Sequence, residues 1–332
     1  MRLKIAVYNV EWMRRLFDSN GGPITTGDEK TRSERLAKVI NEMSPDIMGV
    51  VEGPDTLVDG SKTASGQLEK WVSKFNLSPN YKAVHGYPSN GQQELCALYD
   101  ETKVKVSFKP ETNAKNPFDK PFLVDTTDSL IKEHYKHYRP PLELLVTDAN
   151  DENNRLTRII VTHTKSKGIF KKVDMARFEQ ISERDRKKLY AECISIRERC
   201  NEWLAKGENV IVMGDVNDGA GMDIYENRFK KSALETLLGD VWNPELILKS
   251  VVGRPKPDQY GWTPSSSSFK DKITKDTFNV LIDHILVSQK IKVVEGAVWN
   301  PHLENSTQNI KALKNDLNKA SDHYPILAEI EI

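Results

Sequence analysis

Eight short apolar runs, rich in β-branched residues, punctuate the 332-residue chain: Leu3–Tyr8, Asp46–Val51, Glu94–Tyr99, Leu142–Thr147, Arg158–Thr162, Asn209–Met213, Leu281–Val287 and Ile326–Ile330. Runs of this length and composition read as strands. Two stretches between them carry helical periodicity instead. From about Asp174 to Ala205, Phe178, Ile181, Leu189, Cys193, Ile196, Cys200, Trp203 and Leu204 trace one apolar stripe that should pack on a sheet. From about Lys30 to Met43, Leu36, Val39, Ile40 and Met43 share a side, and the pattern stops before Ser44-Pro45, since a residue ahead of proline avoids the helical region. Strands and helices mix without strict βαβ alternation. The pattern therefore predicts a layered α/β or α+β chain with sheet packed on sheet, not a doubly wound fold.

An apolar share of 38% and a charged share of 29% supply a core and carry no disorder signature. With neither an internal repeat nor a linker, residues 1–332 read as one domain. The irregular stretch at about 109–141, with Pro110, Pro117, Pro121, Pro140 and Pro141, reads as an insertion. Ser265–Ser268 reads as a loop. Lysine plus arginine equals aspartate plus glutamate at 48 each, which excludes a global field drawing the chain to polyanions; nucleic-acid binding would need a local basic patch. Cys96, Cys193 and Cys200 are too few and too scattered for a disulfide framework. The N-terminus alternates like a strand and has no signal-peptide character, and no apolar run reaches the roughly 18 residues of a membrane span. A cytoplasmic protein is expected.

The strand candidates end in polar groups of catalytic type. Asn9 follows the first, Glu52 the second, His163 the run Ile159–Thr162, and Asp215 with Asn217 the run Val210–Met213. Asp322-His323 precedes the last strand, and Asp283 lies inside the apolar run Val280–Leu286, where a carboxylate needs a partner. Sheets carry strand ends to a common rim, so groups distant in sequence can converge. Hard oxygen donors such as Glu52 and Asp322 suit Mg²⁺ or Mn²⁺, and histidine with aspartate supplies base, acid and charge stabilisation.

The motifs Asn9-Val10-Glu11-Trp12, Glu52, Thr162-His163-Thr164, Gly214-Asp215-Val216-Asn217, Ile282-Asp283-His284 and Ser321-Asp322-His323-Tyr324-Pro325-Ile326, taken in order, resemble those of the endonuclease/exonuclease/phosphatase superfamily. The resemblance implies a four-layered α/β sandwich, two mainly antiparallel sheets face to face with helices outside. It implies a Mg²⁺- or Mn²⁺-dependent phosphoesterase with Glu52 as principal metal ligand and Asn9 and Asp322 close to the metal. Asp215 and Asn217 would position nucleophile and phosphate. His323, oriented by Asp283, would take a proton from the attacking water or polarise the phosphate, and His163 would contact the phosphate or leaving oxygen. The substrate is then a phosphate ester, with nucleic acid ahead of a phospholipid or inositol phosphate. A non-catalytic binding protein of the same fold would be expected to lack a member of this set, and none is missing.

Lys165, Lys167, Lys171 and Lys172 directly follow His163 and are candidate contacts to an anionic substrate. His284, one residue past Asp283, should face the other side of its strand and stay outside the site. His134 and His137 have a metal-ligand spacing but no neighbouring cysteine and read as part of a solvated short helix. Gly219-Ala220-Gly221 reads as a turn, and Tyr260 and Trp262 as loop packing.

Overall fold

Strand alternation in Arg2–Asn9 sends Leu3, Ile5 and Val7 into one apolar cluster and Ala6 and Tyr8 into another, so this strand is buried on both faces. Only an interior strand with both faces covered can do that. In the computed structural model, which describes residues 1–57, 59–88, 93–111, 114–169, 172–252, 264–270 and 275–332, it is central in a six-stranded sheet. The order is Lys292–Val298, Ile326–Glu331, Arg2–Asn9, Ile47–Gly53, Glu94–Asp100, Tyr81–His85. A second six-stranded sheet has the order Leu248–Ser250, Asp283–Ser288, Val210–Asp215, Arg155–His163, Leu142–Asp148, Val104–Phe108. One pair in each sheet is parallel, Arg2–Asn9 with Ile47–Gly53 and Arg155–His163 with Val210–Asp215; the other pairs are antiparallel.

The sheets pack face to face. Ile5, Val7 and Val51 of the first share a core with Val161, Met213 and Ile285 of the second. They approach so closely at Gly49 that a Cβ there would lie 2.9 Å from Met213 Sδ. The outer face of the first sheet is covered by Leu36, Ile40 and Met43 of the helix Gly27–Met43 and Leu68 and Trp71 of the helix Ala64–Lys74. Leu189, Ile196, Cys200 and Trp203 of the helix Met175–Ala205 cover Ile160, Val210 and Val212 of the second. The result is the expected four-layered arrangement. No helix among the described residues is long and apolar enough to cross a membrane.

Four sheet strands lay outside the expectation: Tyr81–His85, Val104–Phe108, Leu248–Ser250 and Lys292–Val298. All four form the sheet edges, and their mixed burial gives a weak apolar signal. The stretch 109–141 contributes a hairpin, Phe122–Val124 with Glu133–Tyr135, whose Phe122 and Val124 pack on Ala191 of the long helix. This corrects the short-helix reading there. His134 is an exposed strand residue, whereas His137 is buried against Phe118 and Phe122 with Nε2 3.1 Å from Ser195 Oγ. Burial, with Lys188 nearby, pushes the His137 imidazole down to about 3, as expected of a neutral packing residue. Tyr260 and Trp262 lie outside the described residues.

Candidate active site

Register alone brings three of the polar groups abreast. In the second sheet Asp215 pairs with His163 on one side and with Asp283 on the other, so all three side chains issue from one end of adjacent strands. Gly214 makes this possible: its φ is +151°, and a Cβ would fall 1.9 Å from the Thr162 carbonyl oxygen. In the first sheet Asn9 pairs with Val51, which places Glu52 beside it at the same rim. The last strand is led in by Ser321-Asp322-His323, fixed by Ser321 Oγ donating to Asn9 O at 2.7 Å and His323 N donating to Ser321 Oγ at 3.1 Å.

The side chains converge on Asp215. Its Oδ2 lies 3.6 Å from His163 Nε2 and 3.9 Å from His323 Nε2 and accepts from Asn9 Nδ2 at 3.1 Å, while Oδ1 accepts the Asn217 N–H at 2.9 Å. Asn217, left-handed at φ 52°, also donates from Nδ2 to Thr164 O at 3.1 Å. Asp283 Oδ2 stands 2.7 Å from His323 Nδ1, which answers the question of why a carboxylate interrupts an apolar run. Glu52 Oε1 is 4.0 Å from His163 Nε2, and Oε2 accepts the Trp12 N–H at 2.8 Å. His284 turns away, with Nε2 2.8 Å from Asp218 O.

Charge is distributed unevenly over this group. Burial opposes a proton on His323, but Asp283, Asp215 and Asp322 outweigh it and raise the imidazole to about 10. Burial, together with the Asp283 charge, raises the Asp215 carboxyl to about 7. His163 is held well below its ordinary value by burial and by the charges of Arg139 and His323, so it is neutral. Among the described residues its Nδ1 and the Asp283 Oδ1 are buried without a hydrogen-bond partner.

Glu52 and Asp322 fit a divalent cation. Both are hard oxygen donors, and burial together with the nearby Asp322 charge raises the Glu52 carboxyl, a like-charge cost that a cation would relieve. Asn9, expected close to the metal, has its Oδ1 accepting the Glu11 N–H at 3.1 Å and its Nδ2 facing Asp215 and Glu52, so it bridges the two carboxylates as a donor. Asp215, Asp283 and His323 also bring ligand atoms within 4.8 Å of one another, but Asp283 and His323 are already bound to each other.

The lysines are placed differently from the expectation. Lys165 Nζ pairs with Asp185 at 2.9 Å, and Lys167 is caged by Asp218 and by Glu226 at 2.7 Å. Burial works against the Lys167 charge, yet these acids hold its pKa above the usual value. Both cations are spent inside the protein. Lys172 is exposed, and Lys171 lies outside the described residues.

Other residues stand at the site that the sequence did not single out. Arg139, at the end of the proline-bounded stretch, reaches the site: burial depresses its pKa, while Glu52, Asp215 and Glu192 sustain its charge. It donates to Gln93 Oε1, and its Nε is buried without a partner among the described residues. Glu192 of the long helix accepts the Lys165 N–H at 2.7 Å, tying down the segment that leaves His163. The serine run is not a free loop: Ser266 Oγ accepts the Asp283 N–H at 3.0 Å, and Ser267 Oγ donates to Asp322 O at 2.8 Å. Arg139 could have been suspected only as an arginine beside two prolines, and the serines carry no signal.

The same arrangement of sheets and helices is present in solved structures. Truncated TDP2 from Caenorhabditis elegans superposes with a TM-score of 0.52 at 14% identity, over 100% of this chain and 98% of that one. An endonuclease/exonuclease/phosphatase family protein from Bacteroides thetaiotaomicron gives 0.52 at 15% identity, over 99% and 97%. The chain has the endonuclease/exonuclease/phosphatase fold. No family model matches the sequence, and no curated protein does. Within the endonuclease/exonuclease/phosphatase fold, the motifs that carry the sequence resemblance fall on the strand ends that meet at Asp215.

Proposed function

We propose that this protein is a divalent-metal-dependent phosphodiesterase that cleaves nucleic acid by in-line attack of water. The observation that carries the reading is the convergence of two imidazoles of opposite character on Asp215, with Glu52 alongside. Structural and binding roles do not require a charged and a neutral histidine on one buried carboxylate. Phosphoryl transfer uses both, the charged one to stabilise the phosphoryl oxygens and the neutral one to donate to a phosphate or leaving oxygen.

Glu52 and Asp322 would hold Mg²⁺ or Mn²⁺, which when bound neutralises charge on the phosphoryl oxygens. Asp215, its carboxyl near neutrality and fixed by Asn9 and the Asn217 N–H, receives the proton of the attacking water. His323, kept cationic by Asp283, stabilises the negative charge gathering on the phosphoryl group, and neutral His163 donates from Nε2 to a phosphate or leaving oxygen. Arg139 supplies a fixed positive charge on the same side. Cys96, Cys193 and Cys200 are free and buried, which supports the reducing, cytoplasmic setting.

The test is a panel with Mg²⁺ or Mn²⁺ that compares single- and double-stranded DNA, RNA, sphingomyelin, inositol phosphates and a generic phosphodiester. Hydrolysis of nucleic acid that stops on chelation is expected. Activity confined to the lipid or the inositol phosphates would overturn the substrate class, and activity on none would overturn the enzyme.

A further inference from the structure

Immediately after Asn9 the chain makes an uncommon turn. Glu11 and Trp12 are both left-handed, at φ 47° and 51°, and a short 3₁₀ turn, Met13–Leu16, follows. L residues rarely take that conformation twice in succession, and such outliers persist only where surrounding contacts hold them. Here they do: Arg32 donates to Val10 O and Glu11 O from beneath, and the Trp12 N–H is fixed on Glu52 Oε2. The turn therefore pins Trp12 directly beside the acid that would hold the metal.

The Trp12 ring belongs to none of the buried apolar clusters. It is partly exposed, with the exposed guanidiniums of Arg14 and Arg15 at 5.3 and 5.1 Å from its centroid. A guanidinium lying on a ring leaves its N–H edge free for phosphate. A second such cluster, Arg186 and Arg228 on Tyr225, is neutralised by Asp223 at 2.7 Å and Glu179 at 3.6 Å. At Trp12 Asp55 pairs with Arg14 at 3.7 Å, but among the described residues no carboxylate lies within 4.0 Å of the Arg15 guanidinium. Lys165 and Lys167 are engaged internally, whereas Arg15 is an exposed cation beside Trp12 with no ion pair among the described residues.

We propose that Trp12, Arg14 and Arg15 form a subsite for the nucleotide next to the scissile phosphate, its base stacked on the Trp12–arginine platform and its phosphate paired with Arg15. This rests on the nucleic-acid reading above and assigns it a recognition element. Stacking on an aromatic face tolerates every base, so the subsite selects for a base without selecting which one.

The experiment measures calorimetric binding of a phosphorothioate-linked thymidine dinucleotide to the full chain, against the same compound with either base replaced in turn by hydrogen. The unaltered protein should bind the complete dinucleotide about tenfold or more tighter than one of the base-less forms. Trp12→Leu should erase that preference and Trp12→Phe restore most of it. Arg15→Gln should weaken all forms alike and flatten the salt dependence. The main-chain N–H of Trp12 still reaches Glu52 in each variant; if Leu lowers the melting temperature, the Phe and Gln variants carry the comparison. Equal binding of all forms by the unaltered protein, or a preference that survives Trp12→Leu, overturns the subsite. Natural DNA is assayed for hydrolysis in parallel: a base preference without hydrolysis would sink the proposed activity and leave the subsite standing.

Discussion

His323 Nδ1 lies 2.7 Å from Asp283 Oδ2 across 40 residues of sequence, and both side chains are buried. Ser266 holds the Asp283 main chain and Ser321 that of His323, so the pair is fixed at both ends. Residues that act as one unit give non-additive losses. Asp283→Asn should lower kcat about 10²-fold or more, and Asp283→Asn with His323→Ala should be little worse than His323→Ala alone. Losses that multiply across this cycle would reject the pairing.

Glu52→Gln removes an anionic ligand while an amide oxygen can still accept the Trp12 N–H. The variant should fold, bind Mn²⁺ at least about tenfold more weakly by calorimetry, and lose activity most severely when metal is limiting. Unchanged Mn²⁺ affinity would move the cation elsewhere, with Asp215, Asp283 and His323 the next group to test.

Much of this site could be read from the chain because its residues sit where an apolar run stops. His163 and Asp215 each close an apolar run, Asp283 is marked instead as the carboxylate that interrupts one, and strand register then brings the three together. Asn9 illustrates the limit: its position was legible, but whether oxygen or nitrogen faces the carboxylates depends on the Glu11 N–H, set by a left-handed turn that no periodicity reports. The lysines after His163 show another. A charge run looks the same whether solvated or caged, and the acids that cage Lys167 come from a different segment, at Asp218 and Glu226. Arg139 was illegible for the opposite reason, because it reaches the site from a stretch without periodicity.

The two cations therefore separate by experiment. Lys167→Gln leaves Asp218 and Glu226 buried without their counter-charge and should cost about 3 kcal/mol of stability in urea unfolding. With the fold intact at low temperature, its KM for a long polyanion should be nearly unchanged. Arg139→Gln should instead raise KM and lower kcat for long and small phosphodiesters alike, since its charge faces the reacting group and not the flanks. A selective rise in KM for the polyanion in Lys167→Gln would restore the lysine segment as a substrate contact.

Glu192 provides a pH test that does not involve the metal ligands. Its carboxyl is raised by burial from 4.5 to about 7, opposed by Lys188 and by the N–H groups of Lys165 and Tyr138. Because the folded pKa lies above the unfolded one, the folded protein binds this proton more tightly. The associated stability is fully present below pH 4.5 and is lost as pH rises through 7. A displacement of this size corresponds to about 3 kcal/mol. Glu192→Gln removes the titration while an amide oxygen can still accept the Lys165 N–H. Other titrating groups are common to both proteins and cancel in the difference. The stability of Glu192→Gln relative to the unaltered protein, from urea unfolding without metal, should therefore improve by about 3 kcal/mol between pH 4.5 and pH 8. Parallel curves over that window would mean that burial does not raise the Glu192 carboxyl.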